Sequence, residues 1–434
     1  MKKILLSAAL LAACGMASAQ KLTYVPYATP GDENAFRMGE SVSPNGRWIA
    51  GGDGEKGFIC DMTTGEVKNF ASEFISDETI SKRTATINTV SNDGIGYGYM
   101  EEEAAKFDFA TGTYQKLVRN LGSSVAAVNG DGTFAVGYTY DDDMTGRNAV
   151  YWDKEEMKVL PQPTESWIGF ETDGYQAVAV SGDSATIVGF AVDNFSSYPL
   201  VLWHRNTDGS YSVNPVCKRY FNATFESWQK YDSFNAECIS ENGKWIAVNL
   251  HDVTDDWSDG GMYIGRYDVE ADTLGIIECP DHSAELYYYA NGIANDGTIV
   301  GTVEGNGRFG IIVNAGENTA KYLSEVYPSV TELAQMEELM DNCPTDITPD
   351  GRYILGFGAV ISPLDEDQAW TATWLLDTGK ETTAVENAKA DNEAKKVVAS
   401  YDVEGKKINK VGARRNSLVI DRLANGKAVK SIVK

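Results

Sequence analysis

The stretch SVSPNGRWIAGG at residues 41–52 contains the pattern from which the fold is predicted. Pro44, Asn45 and Gly46 are turn formers, because proline presets the first turn position and glycine accepts a positive φ. The apolar run at 48–50 follows the turn, as expected of a strand. The stretch therefore predicts a β-hairpin, and its recurrence along the chain indicates the architecture.

Six further copies of this hairpin phrase follow at intervals of 38 to 59 residues, measured between equivalent turn positions. Repeats of about this length are typical of propeller blades. The copies are TVSNDGIGYGYM (89–100), AVNGDGTFAVGYT (127–139), AVSGDSATIVGFA (179–191), CISENGKWIAVNL (238–250), GIANDGTIVGTVE (292–304) and DITPDGRYILGFG (346–358). The turn positions equivalent to Gly46 are Gly94, Gly132, Ser184, Gly243, Gly297 and Gly351.

Most repeats contain a second pair of strands, an apolar one ending near an aromatic residue and a shorter one after a polar turn. Four antiparallel strands repeated seven times predict an all-β fold, a seven-bladed β-propeller over residues 20–380. A glycine closes the apolar run in six copies and predicts a bend or a close backbone approach. These glycines are Gly51, Gly98, Gly137, Gly189, Gly301 and Gly356.

The phrases GIANDGTIVG and DITPDGRYILG resemble the HAF-type extracellular repeat and the TolB-like propeller repeat of bacterial secreted proteins. The resemblance covers about ten residues in each copy. It implies a propeller fold, and a role in binding or scaffolding more often than in chemistry.

Residues 1–19 have the pattern of a secretory signal peptide, with a basic start, a short apolar stretch and small residues before Gln20. The sequence around Cys14 also resembles a bacterial lipobox, which would make the protein a lipoprotein. Both interpretations place the protein outside the cytoplasm, secreted or on the outer-membrane surface. No later segment is apolar for long enough to span a bilayer, so the mature chain is not expected to be transmembrane.

The formal charge of −26 is distributed unevenly along the 434 residues. Residues 20–388 carry 23 Lys and Arg against 58 Asp and Glu, whereas residues 389–434 carry 12 against 5. A body this acidic repels phosphate backbones, so no nucleic-acid partner is expected. The basic tail indicates a separate module. The cysteines include no C-x-x-C pair, so no metal site is predicted from them, and the pairing of any disulfides stays open.

Residues 397–434 are predicted to form a small β-sandwich-like domain after a linker at 381–396. This domain resembles the C-terminal sorting domain of type IX secretion in Bacteroidetes. The residues that carry the resemblance are Tyr401, Gly405, Lys406, Val419, Arg422, Leu423, Gly426, Val433 and Lys434. Ser417-Leu418 departs from the Gly-hydrophobic-Tyr that the family usually has there. The resemblance implies export across the outer membrane, with the secretion machinery as a partner.

The Asn/Asp-Gly turns are expected on one face of the propeller, and the irregular loops on the other, where binding residues usually lie. These loops combine carboxylates with aromatic side chains, a combination that suits recognition of a glycan or of a peptide or protein. The candidate ligand-binding residues are Tyr138, Tyr140, Asp141, Asp142, Asp143, Trp167, Trp228, His251, Asp255, Asp256, Trp257, Asp259, Asp365, Asp367 and Trp370. The same acids could instead be solvated surface charges, or could hold Ca²⁺. No cofactor is otherwise expected.

No catalytic motif is present among the three histidines and the loop acids, so no catalytic residue is assigned. The leading hypothesis is a secreted or surface propeller that binds a ligand on its loop-rich face without catalysis. Two alternatives are a propeller glycoside hydrolase or polysaccharide lyase that uses loop carboxylates, and a purely structural surface protein. Residues 329–342 form the one clear helical pattern and are expected to be a short insertion between blades 6 and 7.

Overall fold

The chain divides into two compact units, Met1–Lys380 and Glu381–Lys434. The predicted signal peptide and linker lie outside the residues that the computed structural model describes. The described residues are 20–26, 38–52, 56–71, 85–118, 122–140, 146–163, 173–192, 200–214, 231–253, 259–279, 285–361, 369–380, 397–401, 407–408, 418–423 and 428–432.

The first unit is a seven-bladed β-propeller, and its strands are numbered in chain order. Strand β1 (Lys21–Tyr24) precedes blade 1. Blade 1 contains β2 (Met38–Val42), β3 (Trp48–Gly52), β4 (Gly57–Asp61) and β5 (Glu66–Phe70). Blade 2 contains β6 (Ala85–Val90), β7 (Ile95–Met100), β8 (Glu103–Asp108) and β9 (Thr113–Lys116). Blade 3 contains β10 (Ser124–Val128), β11 (Phe134–Tyr140), β12 (Arg147–Asp153) and β13 (Glu156–Val159). Blades 4 and 5 are β14 (Gly174–Val180), β15 (Thr186–Val192), β16 (Leu200–Arg205), β17 (Tyr211–Asn214); and β18 (Tyr231–Ile239), β19 (Trp245–Val253), β20 (Asp259–Asp268), β21 (Thr273–Ile276). Blades 6 and 7 are β22 (Tyr287–Ile293), β23 (Ile299–Glu304), β24 (Arg308–Val313), β25 (Lys321–Tyr322); and β26 (Asn342–Ile347), β27 (Tyr353–Ile361), β28 (Ala369–Asp377).

The ring is closed by β1, which is the outer strand of blade 7 and pairs antiparallel with β28. Blade 7 also bonds directly to blade 1, because the Asp346 carboxylate accepts the Val42 N–H at 2.9 Å and the Thr345 hydroxyl donates to the Gly39 carbonyl at 2.7 Å. The predicted repeat count and four-stranded blades are thereby confirmed, with one blade built from both ends of the unit.

Seven hydrophobic clusters hold the propeller together, and each lies between two neighbouring blades. One unites Ile49 and Phe58 of blade 1 with Leu355 and Leu375 of blade 7. The others combine residues of blades 1 and 2, 2 and 3, 3 and 4, 4 and 5, 5 and 6, and 6 and 7. A four-stranded blade has two apolar faces that it cannot bury alone, so each repeat is stabilised by the next.

The repeated hairpin turns have the backbone that their sequence predicts. The turn glycines have φ between 70° and 87°, and Ser184 holds the same conformation at φ 59°. A polar side chain at the start of each turn except that of blade 6 accepts the N–H that opens the second strand, as Ser43 does from Trp48 at 2.9 Å. Six of the seven repeated phrases are therefore self-capped turns.

Each inner strand contains a β-bulge, and the bulged residue lies six positions before the turn residue. The seven bulged residues are Glu40, Asn88, Ala126, Val178, Glu237, Asn291 and Thr345. The glycine at the end of the apolar run faces the bulge. An added Cβ at Gly51 would lie closer than 3 Å to the Met38 carbonyl, and one at Gly98 would meet that of Thr86. The expected close approach is therefore a consequence of the bulge.

Two short helices join blade 6 to blade 7, α1 (Leu323–Val326) and α2 (Thr331–Glu338). Leu333 and Met336 are buried against strands of both blades. Leu339 and Met340 lie beyond the helix end, and Met340 is 56% exposed. Within the described part of the chain, no helix is long and apolar enough to cross a membrane.

The second unit contains a four-stranded antiparallel sheet in the order β30 (Lys407–Ile408), β29 (Val397–Tyr401), β31 (Leu418–Leu423) and β32 (Ala428–Ile432). Its described residues form this single sheet, and the second layer of the expected sandwich stays a prediction.

Ser184 provides a test of turn strain, since a left-handed backbone is unfavourable for a residue with a Cβ. We expect Ser184→Gly to be about 1–2 kcal/mol more stable to unfolding than Ser184→Ala. Both variants lose the weak 3.4 Å bond from Asn129 Nδ2 and differ only in the Cβ. Urea unfolding of the two variants measures the difference, and equal midpoints would contradict the strain argument.

Candidate functional site

The propeller has two different faces. The turn face carries the repeated hairpin turns, which bond from blade to blade: the Asn92 Oδ1 accepts the Asn45 N–H, and Asn295 does the same for Asn242, both at 2.8 Å. The loop face carries the connections between second and third strands and between blades. Irregular connections are where binding residues are most often found, so the loop face is the candidate binding surface.

The structure describes few of the predicted site residues fully. Tyr138, Tyr140 and Trp370 are described with their side chains. His251 lies in β19 and Asp259 in β20, and only the backbone of these two residues is described. The remaining predicted residues lie outside the described ranges and stay predictions: Asp141, Asp142, Asp143, Trp167, Trp228, Asp255, Asp256, Trp257, Asp365 and Asp367.

Tyr138 and Tyr140 form an edge-to-face pair on β11, with ring centroids 6.1 Å apart. The Arg147 guanidinium lies 5.0 Å and 5.2 Å from the two centroids and donates to the Tyr140 hydroxyl at 2.9 Å. It also donates to the Gln176 side-chain oxygen at 2.7 Å. The Arg147 guanidinium therefore covers both rings, so this aromatic pair is less suited to bind an external ligand.

Trp370 lies in a groove of about 570 Å³ on the loop face of blade 7. The groove is bounded by one side of α2, by the loop ends of β27 and β28, and by Tyr24 at the end of β1. Tyr24 is 41% exposed and Ile361 is 58% exposed. This volume is within the range of ligand sites, which are mostly apolar with a few polar groups.

Two carboxylates, Glu332 and Glu338, and the amide of Gln335 add polar groups to the groove. Burial raises the pKa of Tyr24, and the charge of Glu332 raises it further. Among the described residues that line the groove there is no Lys, Arg or His. The groove thus combines aromatic and aliphatic surface with uncompensated negative charge.

A second concave feature, which the sequence does not predict, is the central channel, where the seven inner strands surround a cavity of about 240 Å³. Its carboxylates are Glu40, Glu237, Glu241 and Asp346, and no basic side chain is among its described lining residues. Burial raises the pKa of Asp346 to about 7. Glu40 and Glu237 each lie six residues before a turn glycine, and this spacing is the sequence signal that identifies them as channel-lining residues.

Glu241 projects across the turn-face mouth of this channel, because its carboxylate lies beside Gly130 of blade 3 and Gly182 of blade 4. Burial raises its pKa to about 6, with a further contribution from the charge of Asp131, while the Gly130 N–H opposes the increase. The channel is therefore narrowed at this end by an acidic side chain.

The described residues include no group of three or more His, Cys, Asp or Glu side chains arranged to hold a metal ion. Of the histidines, His204 has a described side chain, and burial lowers its pKa. The cysteines Cys238, Cys279 and Cys343 are free thiols, Cys60 is buried, and Cys217 lies outside the described residues.

Asp346 allows a pH test of the channel. Its carboxyl titrates near 3.9 when unfolded and near 7 when folded, so its stabilising contribution is full below pH 4 and is lost as the pH rises to 7. Because the two pKa values differ by about three units, we expect the unfolding free energy of Asp346→Asn to gain about 3–4 kcal/mol over that of the wild type between pH 4 and pH 8. Urea unfolding across this range measures the gain, with exposed Glu66→Gln as the control. If the unfolding free energies of Asp346→Asn and the wild type changed in parallel with pH, the raised pKa assigned to Asp346 would be wrong.

Comparisons with known proteins find weak structural likenesses only. TolB from Acinetobacter baumannii is 15% identical with a TM-score of 0.35, and the match covers 67% of this chain and 66% of that one. The tricorn protease is 14% identical with a TM-score of 0.39 over 90% of this chain and 37% of that one. A chain of the mitotic checkpoint complex is 10% identical with a TM-score of 0.43 over 83% and 92%. No family model matches the chain, and no curated protein does. The chain is a β-propeller protein by its own sheet topology.

Proposed function

We propose that the protein is an exported β-propeller that binds a glycan, peptide or protein on its loop face without catalysis. The observation that carries the proposal is the groove of blade 7, where Trp370, Tyr24 and Ile361 offer accessible apolar surface beside two carboxylates. Aromatic faces and acids in one concave site are typical of recognition surfaces.

The location of the protein is part of the proposal. Export follows from the signal-like residues 1–19, with release or surface attachment through the C-terminal unit as a type IX sorting domain of the Bacteroidetes kind. Strand β31 contains Val419, Arg422 and Leu423 of that resemblance. Ca²⁺ binding by the loop acids is a further proposal, for which the acids around 141–143 and 255–259 are the candidates.

The binding proposal is tested with glycan and peptide arrays probed by the full chain. We expect binding to at least one class, reduced fivefold or more by Trp370→Ala and by Ile361→Ala. Val159→Ala is the matched control, since Val159 is 54% exposed but lies outside the groove. If all three variants bound as the wild type does, the binding site would lie elsewhere, and the proposal that the ligand binds in the blade 7 groove would be wrong.

A further inference from the structure

The groove of blade 7 is negatively charged within an already acidic body. Its eleven lining residues include Glu332 and Glu338 and, within the described chain, no basic side chain. Residues 20–388 have a formal balance of −35. A field of this sign raises the local concentration of cationic ligands and disfavours anionic ones.

Aromatic side chains elsewhere in the propeller are covered by the chain's own cations. The Arg47 guanidinium lies 4.4 Å from the Trp48 ring centroid, and the Lys244 ammonium lies 4.4 Å from that of Trp245. Arg352 over Tyr353 and Arg308 over Phe357 repeat the arrangement at 5.0 Å. No Lys or Arg of the described residues stands over Tyr24 or Trp370.

We infer that the blade 7 groove binds an arginine or lysine side chain of an extended peptide segment, with an apolar neighbour of that residue against Ile361 and Val360. The cation lies against Trp370 or Tyr24 and is neutralised by Glu332 and Glu338. This inference rests on the proposed function and specifies its ligand class. A cation on an aromatic face beside carboxylates gains in both interactions, and each is stronger in a partly dehydrated groove.

A peptide fits these features better than a neutral glycan does. A glycan would use the aromatic faces but gives two carboxylates no charge to pair with. A peptide side chain such as arginine supplies a planar cation, which matches a carboxylate in a bidentate manner and also stacks on a ring. The charge of the groove therefore favours the peptide.

The experiment is isothermal titration of the full chain with acetyl-GLRLRG-amide, with the acidic counterpart acetyl-GLELEG-amide, and with maltohexaose as the glycan arm. We expect the arginine peptide to bind at least tenfold more tightly than the glutamate peptide, with an affinity that falls as salt is raised. Trp370→Ala, and separately the double variant Glu332→Gln/Glu338→Gln, should each weaken binding about tenfold. The double variant Glu66→Gln/Glu270→Gln removes two exposed charges outside the groove and should leave the affinity unchanged.

The outcomes separate the two proposals. Arginine-peptide binding that survives both groove variants, or that falls equally in the control, reflects the general acidity of the body and overturns the inference. Maltohexaose binding lost in Trp370→Ala, without peptide binding, overturns the inference and keeps the proposed function. If no peptide or glycan binds here or on the arrays, both fail. Circular dichroism of every variant confirms that the fold is retained.

Discussion

Gly51→Ala should unfold the propeller at a markedly lower urea concentration than the wild type, with a loss of about 3 kcal/mol or more. Gly51 faces the bulge in β2, and an added Cβ would lie closer than 3 Å to the carbonyl oxygen and carbon of Met38. Those atoms are backbone and cannot rotate away, so the inner strand must shift. Overpacking of a tight site generally costs 1–3 kcal/mol and sometimes more.

The neighbouring Gly52 is the control for this prediction. Among the described residues beyond its chain neighbours, the nearest atom to a Cβ there is the Lys56 carbonyl oxygen at 3.5 Å, which is ordinary contact. We expect Gly52→Ala to change the unfolding free energy by less than about 1 kcal/mol, because only the unfolded chain is restricted. Equal midpoints for the two alanine variants would show that the bulge tolerates a side chain and that the glycine is there for another reason.

Leu22→Asp should open the ring. Leu22 is the buried residue of β1, packed in the cluster that contains Trp374, Ile354 and Leu376. A carboxylate there is unpaired and buried, and the apolar contacts that hold β1 on β28 are lost, so we expect at least 3 kcal/mol of destabilisation. Amide hydrogen exchange should rise first in β28, ahead of the central blades.

Thr23→Asp is the matched variant, since it introduces the same charge at the next, exposed residue of the same strand. It should leave both the unfolding midpoint and exchange in β28 close to those of the wild type. If Leu22→Asp raised exchange uniformly over all blades, the propeller would be opening as one unit, and β1 would not be a separable closing element.

The fold was predictable because its signals are local and repeated. The turn at Gly46 and its equivalents need a positive φ, and the close backbone approach at residue 51 leaves no room for a Cβ. Glycine therefore recurs at both positions in most copies of the repeat. The bulged residues Glu40 and Glu237 also have a constant position, six residues before the turn glycine. This spacing identifies the lining of the channel only when the seven copies are superimposed.

The groove could not be predicted in the same way. Tyr24 and Trp370 are brought together only because the first strand of the propeller joins its last blade, and no sequence pattern connects positions so far apart. The sequence predicts residues 329–342 as a short insertion between blades, which gives no reason to place Glu332 and Glu338 in a binding site. Trp370 is predicted from its position in an irregular loop, whereas its significance comes from its neighbours in the groove.

The pairing of β1 with β28 also determines when, during synthesis, the propeller ring can close. Lys21 pairs with Asp377, so these inter-strand bonds join the first and the last strand of the propeller to be synthesised. Until residue 377 has emerged, β1 has no complete partner strand, and until β1 has then docked, the edge of β28 stays open to a strand from another molecule. Concentrated, newly made chains should therefore exchange their first strands, and slow delivery into a dilute compartment should favour closure within one chain.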